Sequence, residues 1–521
     1  MFVYALAIIK EIKMMNQKIK LCIMSLFLII PFTELSASGL GLKLVGTRAF
    51  SLGGAFRGVA NDFSAAYWNP AGMMRLNGFQ IGFGAVGVVP VATLTPKNLT
   101  PDVFNPDPTL GGLYGLNNGY TTSATSLIEK THIIPSFAFG YRAEGSKIAY
   151  GFSLSVPFGL GTEWNLFNLA QVNNYGNLKA SEYPEFDTVS DIAIIAFQPT
   201  VAIEVSEKLS LGLGLFFTKA DISFRQPSFS DNSTLGTVFG TYQYPYWITD
   251  TFLEGSGTGF GLNFGVMFEA SEKLSIGVDV QWFGDIDFDG DVIATTYFPY
   301  NQDKINFIGG LLEDETLDAA TKALYGSALF AYSGASIKNS SDVVTTTLPL
   351  PLEFGVGIGY QLSEKLLISA DYMFTRWSAW YEISININKD FDGDGTNDVT
   401  KLVEHWDDVN KYMVGLEYLI MDSDERQAFL RFGFASDGSP IPDETLSAFI
   451  PDLGTKNSVF AGFGINMGSI SIDLAAQTMF VDDRIINAVA LVDGDPTERT
   501  NIPGVWSLEE SAFVAGLAYS F

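Results

Sequence analysis

The chain is organised by a period of two. At its end Phe513, Ala515, Leu517, Tyr519 and Phe521 fall on one face, while Val514, Gly516, Ala518 and Ser520 fall on the other. Such alternation predicts a β-strand whose two faces meet different surroundings. The same pattern follows a phrase that recurs three times: Ser206-Glu207-Lys208-Leu209, Ser271-Glu272-Lys273-Leu274 and Ser363-Glu364-Lys365-Leu366. After the first, Leu209, Leu211, Leu213 and Leu215 oppose Ser210, Gly212 and Gly214. After the second, Leu274, Ile276, Val278, Val280 and Trp282 oppose Ser275, Gly277, Asp279 and Gln281. After the third, Leu366, Ile368, Ala370 and Tyr372 oppose Ser369 and Asp371. Each phrase reads as a tight polar turn between long antiparallel strands. Their spacing is too irregular for a solenoid.

Ala143–Ser146, Asp422–Gln427 and Met467–Ser469 read as three more short turns. Between these six turns lie seven long connections, near 94–130, 161–189, 223–255, 292–349, 387–406, 438–454 and 483–506. Thirteen connections join fourteen strands. The fold class predicted is therefore all-β, a 14-stranded antiparallel transmembrane β-barrel with short turns at one rim and long loops at the other. Composition agrees: 47% of residues are hydrophobic, only 17% are charged, and 52 are Gly. No segment has the roughly 18 consecutive apolar residues of a membrane-spanning helix. The even count returns Phe521 to the short-turn, periplasmic rim.

Residues 1–37 read as a secretory signal peptide. Lys10, Lys13, Lys18 and Lys20 precede the apolar run Leu21–Phe32, and Leu35-Ser36-Ala37-Ser38 supplies small residues for cleavage after Ala37 or Ser38. The single cysteine, Cys22, lies in that segment, so a processed chain has no thiolate chemistry or Cys-held metal. Loss of the segment takes the formal charge from −28 to −30, which argues against nucleic acid as a partner. Residues 38–77 are rich in Gly, Ala and Asn, read poorly as strand, and are too apolar for a disordered tail. A plug inside the barrel is the place for them, with residues 78–521 forming the barrel.

The plug segment carries a resemblance. Leu52-Gly53-Gly54-Ala55-Phe56-Arg57-Gly58-Val59-Ala60-Asn61-Asp62, followed by Ala65-Ala66-Tyr67-Trp68-Asn69-Pro70-Ala71-Gly72-Met73, resembles the N-terminal hatch of FadL/TodX outer-membrane transporters of long-chain fatty acids and aromatic hydrocarbons. Val156-Pro157-Phe158-Gly159-Leu160-Gly161-Thr162-Glu163-Trp164 resembles the family's third strand and following loop. Leu430-Arg431-Phe432-Gly433, Pro440-Ile441-Pro442-Asp443 and Pro451-Asp452 resemble its late strand-loop signature. The resemblance implies a monomeric barrel in the outer membrane of a Gram-negative bacterium, surrounded by outer-membrane lipid, with its last strand read by the barrel assembly machinery. It also implies a hydrophobic small-molecule ligand that adsorbs at outer loops, enters a lumen site, and leaves sideways past a kinked third strand when the hatch moves. No cofactor is required.

Several residues are candidates within that frame. Asn69, Pro70, Ala71 and Gly72 are either a gating element of the hatch or a turn that caps it. Pro157, Phe158 and Gly159 either kink a strand to open the wall or mark its end, since Pro breaks a sheet ladder. Tyr246, Trp247, Phe252, Leu311 and Leu312 are candidates for ligand adsorption, or for packing of loops on one another. The stretch Asn306–Ala331 reads as helical. Asp390, Asp392, Asp394 and Asp398 stand at positions 1, 3, 5 and 9 of a Ca²⁺-type loop with Gly395 at 6. Lys401 at position 12 departs from that pattern, leaving a loose extracellular Ca²⁺ site or a solvated acidic turn. Asp285, Asp287, Asp289 and Asp291 read as one polar strand face. His132 and His405 have no nucleophile motif or zinc spacing around them, so no catalytic residue is assigned. The function expected is passive transport of apolar solutes. A structural or adhesive barrel is the alternative, and a hatch argues against an open porin.

Overall fold

Strands that face lipid with every second residue leave no water for an open edge, so such a sheet must close on itself. The computed structural model, which describes residues 39–96, 126–129, 131–165, 184–231, 246–298, 300, 302–390, 395–487 and 501–521, is closed in this way. Residues 1–37, read from sequence as a signal peptide, lie outside the described residues. The wall strands are β1 (Gly78–Pro96), β2 (His132–Arg142), β3 (Ile148–Trp164), β4 (Thr188–Ser206), β5 (Leu209–Asp231), β6 (Tyr246–Glu269) and β7 (Leu274–Phe283). They continue with β8 (Glu353–Ser363), β9 (Leu366–Thr375), β10 (Val409–Asp422), β11 (Arg426–Asp437), β12 (Lys456–Met467), β13 (Ile470–Phe480) and β14 (Gly504–Ser520). Each pairs antiparallel with its neighbours, and β14 closes on β1 from Gln80↔Ser520 to Pro96↔Gly504.

The alternation sets which face is which. Leu213, Leu215, Phe217, Phe260, Leu474, Phe513 and Leu517 are exposed on the outer face. Their alternates, such as Asp279, Gln281, Ser369 and Asp371, are buried on the inner one. The seam closes at the chain end. Phe521 donates its N–H to the Phe79 carbonyl at 2.8 Å, and the two rings lie 5.4 Å apart. Gly78, at φ +73°, lets the Phe521 carbonyl occupy the space a Cβ would fill. Deleting Phe521 removes this bond and ring together. The expected result is a lower yield of folded barrel, read as loss of the heat-modifiable band on a gel; an unchanged folded yield contradicts it.

The long connections differ from expectation. Strands β5 and β6 run through much of 223–255, and Ile286–Tyr297 with Ser336–Leu348 carry a hairpin through 292–349. Glu382–Ile387 and Val399–Val403 form another at 387–406. Beyond lipid neither face of a strand needs to be apolar, so most of these extensions lose the period that reveals strands in the wall, although Ile286 and Phe288 still alternate with exposed aspartates. Asp285, Asp287, Asp289 and Asp291 stay on one exposed face there, and Asp287 accepts a bond from Thr347 Oγ1 at 2.7 Å.

Inside the barrel the plug contains α1 (Thr47–Ser51), α2 (Ala65–Trp68) and a 3₁₀ turn, Pro70–Arg75. In the outer region the helical stretch is two helices, α3 (Gln302–Leu312) and α4 (Ala319–Ala331). The acidic run between them provides Asp318, whose carboxylate accepts the Thr321 N–H at 2.7 Å and starts α4.

Candidate functional site

The plug is basic and its seat is acidic. Between residues 39 and 77 the cations are Lys43, Arg48, Arg57 and Arg75, and each pairs with a wall carboxylate. Lys43 pairs with Glu353 on β8 and Arg75 with Glu269 on β6, the latter at 2.6 Å. Arg48 forks onto Glu417 of β10 at 2.7 and 2.9 Å. Glu417 also accepts Arg431 of β11 at 2.6 Å, which reaches Asp473 of β13 at 2.5 Å. Arg57 is 1% exposed. It pairs with Asp279 of β7 and lies 3.5 Å from Asp371 of β9. Asp371 also accepts the N–H groups of Phe56 and Arg57 at 3.0 and 2.9 Å. Buried charges persist only when paired and hydrogen-bonded in this manner.

Neutral contacts complete the seat. Asn263 and Gln281 both donate to the Tyr67 carbonyl, at 2.8 and 3.0 Å. Gln198 donates to Ala66 at 2.8 Å and Ser275 to Gly58 at 2.7 Å. The plug backbone comes so close that a Cβ at Gly212 would strike Pro70, and one at Gly277 would strike the Arg57 carbonyl. Glycine on the inner face of the wall is therefore a packing requirement at these two positions.

The wall is discontinuous beside β3. Strands β2 and β3 pair from Arg142↔Ala149 only as far as Phe137↔Leu154 among the described residues. One residue later the β3–β4 register shifts between Ser155 and Phe158, so β3 holds one residue more than β4 opposes. Past this bulge β3 takes a different neighbour, the start of the plug. Leu42 donates its N–H to the Pro157 carbonyl at 2.7 Å, and Gly159 donates to Leu40 at 2.9 Å, bracketing the bridge Gly41↔Phe158. The arm Leu40–Leu42 thus lies along the edge that β2 leaves.

Apolar surface continues inward from the arm. Phe158 packs edge-on to Phe283 at 5.0 Å and to Trp377 at 6.1 Å, and Trp377, Trp380 and Trp406 form a cluster with Trp380 stacked on Trp406 at 4.5 Å. Arm residues Gly41 and Leu42 also line a cavity of about 90 Å³. Leu42, Phe50, Met373, Met413, Phe460 and Met479 give it apolar walls, and Lys411 and Lys456 give it cationic heads. Lys411 is held by Asp437 at 2.9 Å, and Lys456 is held by Asp452.

A closed fourteen-stranded wall, an internal plug and a break at the third strand are a combination that can be compared with known proteins. The profile of the outer-membrane transport proteins OMPP1/FadL/TodX matches residues 31–521. The chain belongs to this family. Outer membrane protein P1 of Haemophilus influenzae is 25% identical over 80% of this chain and 78% of its own length. The long-chain fatty acid transport protein of Escherichia coli is 23% identical over 86% of this chain and 85% of its own. Among solved structures, a Pseudomonas aeruginosa FadL homologue superposes with a TM-score of 0.66 at 16% identity, covering 93% of this chain and all of that one. The Pseudomonas putida toluene transporter TodX gives 0.61 at 14% identity, covering 90% and 98%. The chain is an outer-membrane β-barrel of a Gram-negative type, and its family and fold are those of a transport channel.

The structure places the predicted residues of this FadL/TodX-family chain as follows. Asn69 caps the turn Pro70–Arg75 by accepting the Ala71 N–H at 3.2 Å, and donates to Arg57 and Val266 carbonyls at 3.1 and 3.0 Å. Pro70, Ala71 and Gly72 are buried with it. Pro157, Phe158 and Gly159 lie at the bulge, and β3 continues beyond them to Trp164. Tyr246 and Trp247 open β6, pairing with Asp231 and Ser230. The half-buried Phe252 lies under Arg225 at 4.6 Å. Leu311 and Leu312 pack against the small core of Phe298, Ile308, Ala328, Ala331 and Tyr332 in the α3–α4 hairpin. Asp392 and Asp394 lie outside the described residues. Asp390 accepts the Gly395 N–H at 2.9 Å, and Asp398 is bonded through its backbone to Ile387 and Lys389. Among the described residues no cluster of three or more potential metal ligands occurs. His132 is buried in β2 and His405 stacks on Tyr381 at 4.2 Å.

The plug cations and their wall partners, the arm and the indole cluster were not found by sequence reasoning. Their signal is a charged residue at an inward position of an apolar strand, as at Asp279, Asp371, Glu417 and Asp473. Near the indoles, on the outer connection, burial pushes the Glu404 carboxyl from 4.5 up to about 7, opposed by a bond from Trp406 Nε1 at 2.9 Å. The folded state therefore holds a proton that the unfolded state has released, and stability falls as pH rises from 4.5 toward 7, then levels off. Glu404→Gln is expected to raise the thermal midpoint at pH about 8 and leave it unchanged at pH about 4. Equal effects at both would show that charge is not the cause.

Proposed function

We propose that the chain carries hydrophobic small molecules, long-chain fatty acids or aromatic hydrocarbons, across the outer membrane without an energy source. The hatch gates the path when ligand binds, and release is lateral, through the wall beside β3. The observation that supports this most is the end of the β2–β3 ladder at Phe137↔Leu154 among the described residues, with the Leu40–Leu42 arm hydrogen-bonded along the edge beyond it. A lateral exit suits an apolar solute. Each buried CH₂ is worth about 0.8 kcal/mol, so a route that stays dry costs less than one through an aqueous pore.

Solute first meets the outer loops, where Tyr246, Trp247, Phe252, Leu311 and Leu312 belong to the adsorbing region. It then enters the cavity between plug and wall, whose apolar lining fits a hydrocarbon and whose Lys411 and Lys456 suit a carboxylate head. Asn69-Pro70-Ala71-Gly72 transmits ligand entry to the plug, and Pro157-Phe158-Gly159 forms the exit. Relatives named for fatty-acid and toluene transport support this substrate class. The protein works as a monomer, needs no cofactor and performs no chemistry on its cargo. The Asp390–Asp398 turn is a place for loop-stabilising Ca²⁺.

Uptake of radiolabelled oleate and toluene by a deletion strain tests the reading. It should fall on deletion and recover with the intact gene. Unchanged uptake of both leaves the structural or adhesive alternative. Steady large currents in a planar bilayer with the hatch in place would instead make the protein a porin.

A further inference from the structure

The arm that covers the β3 edge begins at a buried acid. Gly39 donates its backbone N–H to Asp452 Oδ2 at 2.8 Å, and the other oxygen of that carboxylate holds Lys456 Nζ. Asp452 is 1% exposed. Its backbone is fixed as well, because Ser439 and Arg484 both donate to its carbonyl, at 3.3 and 3.1 Å. Gly39 has φ +57°, and the indoles of Trp377 and Trp406 fill the space of its missing Cβ. The chain therefore enters the lumen at a closely walled point, with a carboxylate aimed at the first nitrogen of the arm.

One oxygen of Asp452 is taken by Lys456, and the other faces the Gly39 nitrogen. A buried carboxylate is stabilised by charged donors. The sequence supplies a way to make that nitrogen a cation. Ser36 and Ser38 stand three and one residues before the Ser38–Gly39 bond, the two places where a signal peptidase requires small side chains. Cutting one bond earlier would put Leu35 at the first of these places.

We propose that the precursor is cut between Ser38 and Gly39, and that the new α-ammonium of Gly39 binds Asp452 as the latch of the arm. Water hydrolyses the peptide bond, leaving a carboxylate on Ser38 and an amine on Gly39. The amine takes a proton, since an α-amino group is ionised at neutral pH. One amide donor becomes a cation with three donors, placed on a carboxylate that already waits for it. Processing and hatch seating are thereby coupled: a chain that keeps its leader, or is trimmed past Gly39, has no charge at this point. The latch holds Leu40–Leu42 against Pro157 and Gly159. It rests on the arm's placement, and not on what the channel carries.

The test uses protein expressed with its own leader and purified from outer membranes. Intact mass should equal that of residues 39–521; any other start overturns the proposal. Acylation of the α-amine by a small amine-reactive ester, followed by peptide mass spectrometry, then reads the latch, with exposed Lys208 as internal reference. The α-amine should react at least about tenfold more slowly in folded than in urea-unfolded protein, because a buried ion pair shields it. In folded Asp452→Asn it should react at least about tenfold faster than in the unaltered barrel, with Asp452→Glu restoring protection. Equal α-amine reactivity in folded and unfolded unaltered protein overturns the latch even if the Asp452 variants fail to assemble. None of these readouts depends on uptake.

Discussion

Arg57→Ala is expected to unseat the plug while leaving the wall closed. The substitution strands Asp279 and Asp371, both buried, without the guanidinium that faces them. Removing one partner of a buried pair costs about 3–5 kcal/mol, because the other charge is left unpaired in low dielectric. The wall itself needs none of these contacts: its ladders run strand to strand, and β14 closes on β1 through backbone bonds. The variant should therefore still show the heat-modifiable barrel band, with a lower thermal midpoint and intermittent or steady ion current in a planar bilayer. A triple change that neutralises the acids as well, Arg57→Met with Asp279→Asn and Asp371→Asn, should recover part of the midpoint, since no charge then remains buried alone. Current and midpoint equal to the unaltered protein in Arg57→Ala would show that the pair does not hold the plug.

Deleting Pro157 is expected to close the exit. The deletion removes the one extra residue that β3 carries between Ser155 and Phe158, and restores a ladder N–H where proline has none. The straightened strand can then continue its register with β4 and meet β2 above Phe137↔Leu154. It also takes away the Pro157 carbonyl to which Leu42 donates. Uptake of oleate and toluene should fall severalfold, with folded yield unchanged. Normal uptake in a properly folded deletion variant would remove the bulge from the route.

How much of this was legible beforehand depended on where a physical constraint shaped the sequence. Lipid on one side and a packed lumen on the other impose a period of two. That made the Ser-Glu-Lys-Leu turns, the strand count and the place of Phe521 readable. Outside the bilayer the constraint lapses, which is why residues 292–297, Ser336–Leu348 and the upper parts of β5 and β6 looked like loop, while Asp285, Asp287, Asp289 and Asp291 still read as a strand face. Parity also put Asp279 and Asp371 on the inward face, yet it carries no information about partners. Arg57 lies more than two hundred residues from either, and only closure of the barrel brings them together. Pro157 and Gly159 announced a break in β3. The strand that replaces the missing neighbour, Leu40–Leu42, has too few residues and too little alternation to be seen as strand. The indoles of Trp377, Trp380 and Trp406 meet for the same reason as the ion pairs, through closure and not through local pattern.

The lateral route is tested most directly by locking the arm to the strand it covers. Gly41 and Phe158 oppose each other as a non-hydrogen-bonded antiparallel pair, for which Cα atoms lie about 4.5 Å apart, within disulfide reach. The only native cysteine, Cys22, falls in the segment that the sequence predicts to be a removable leader, so once that segment is cut Gly41→Cys with Phe158→Cys introduces a single possible bridge. Radiolabelled oleate uptake is measured with the bridge oxidised and again after reduction, its formation checked by peptide mass. Uptake should stop in the oxidised protein and return on reduction. Undiminished uptake through a fully bridged protein would contradict lateral release at β3.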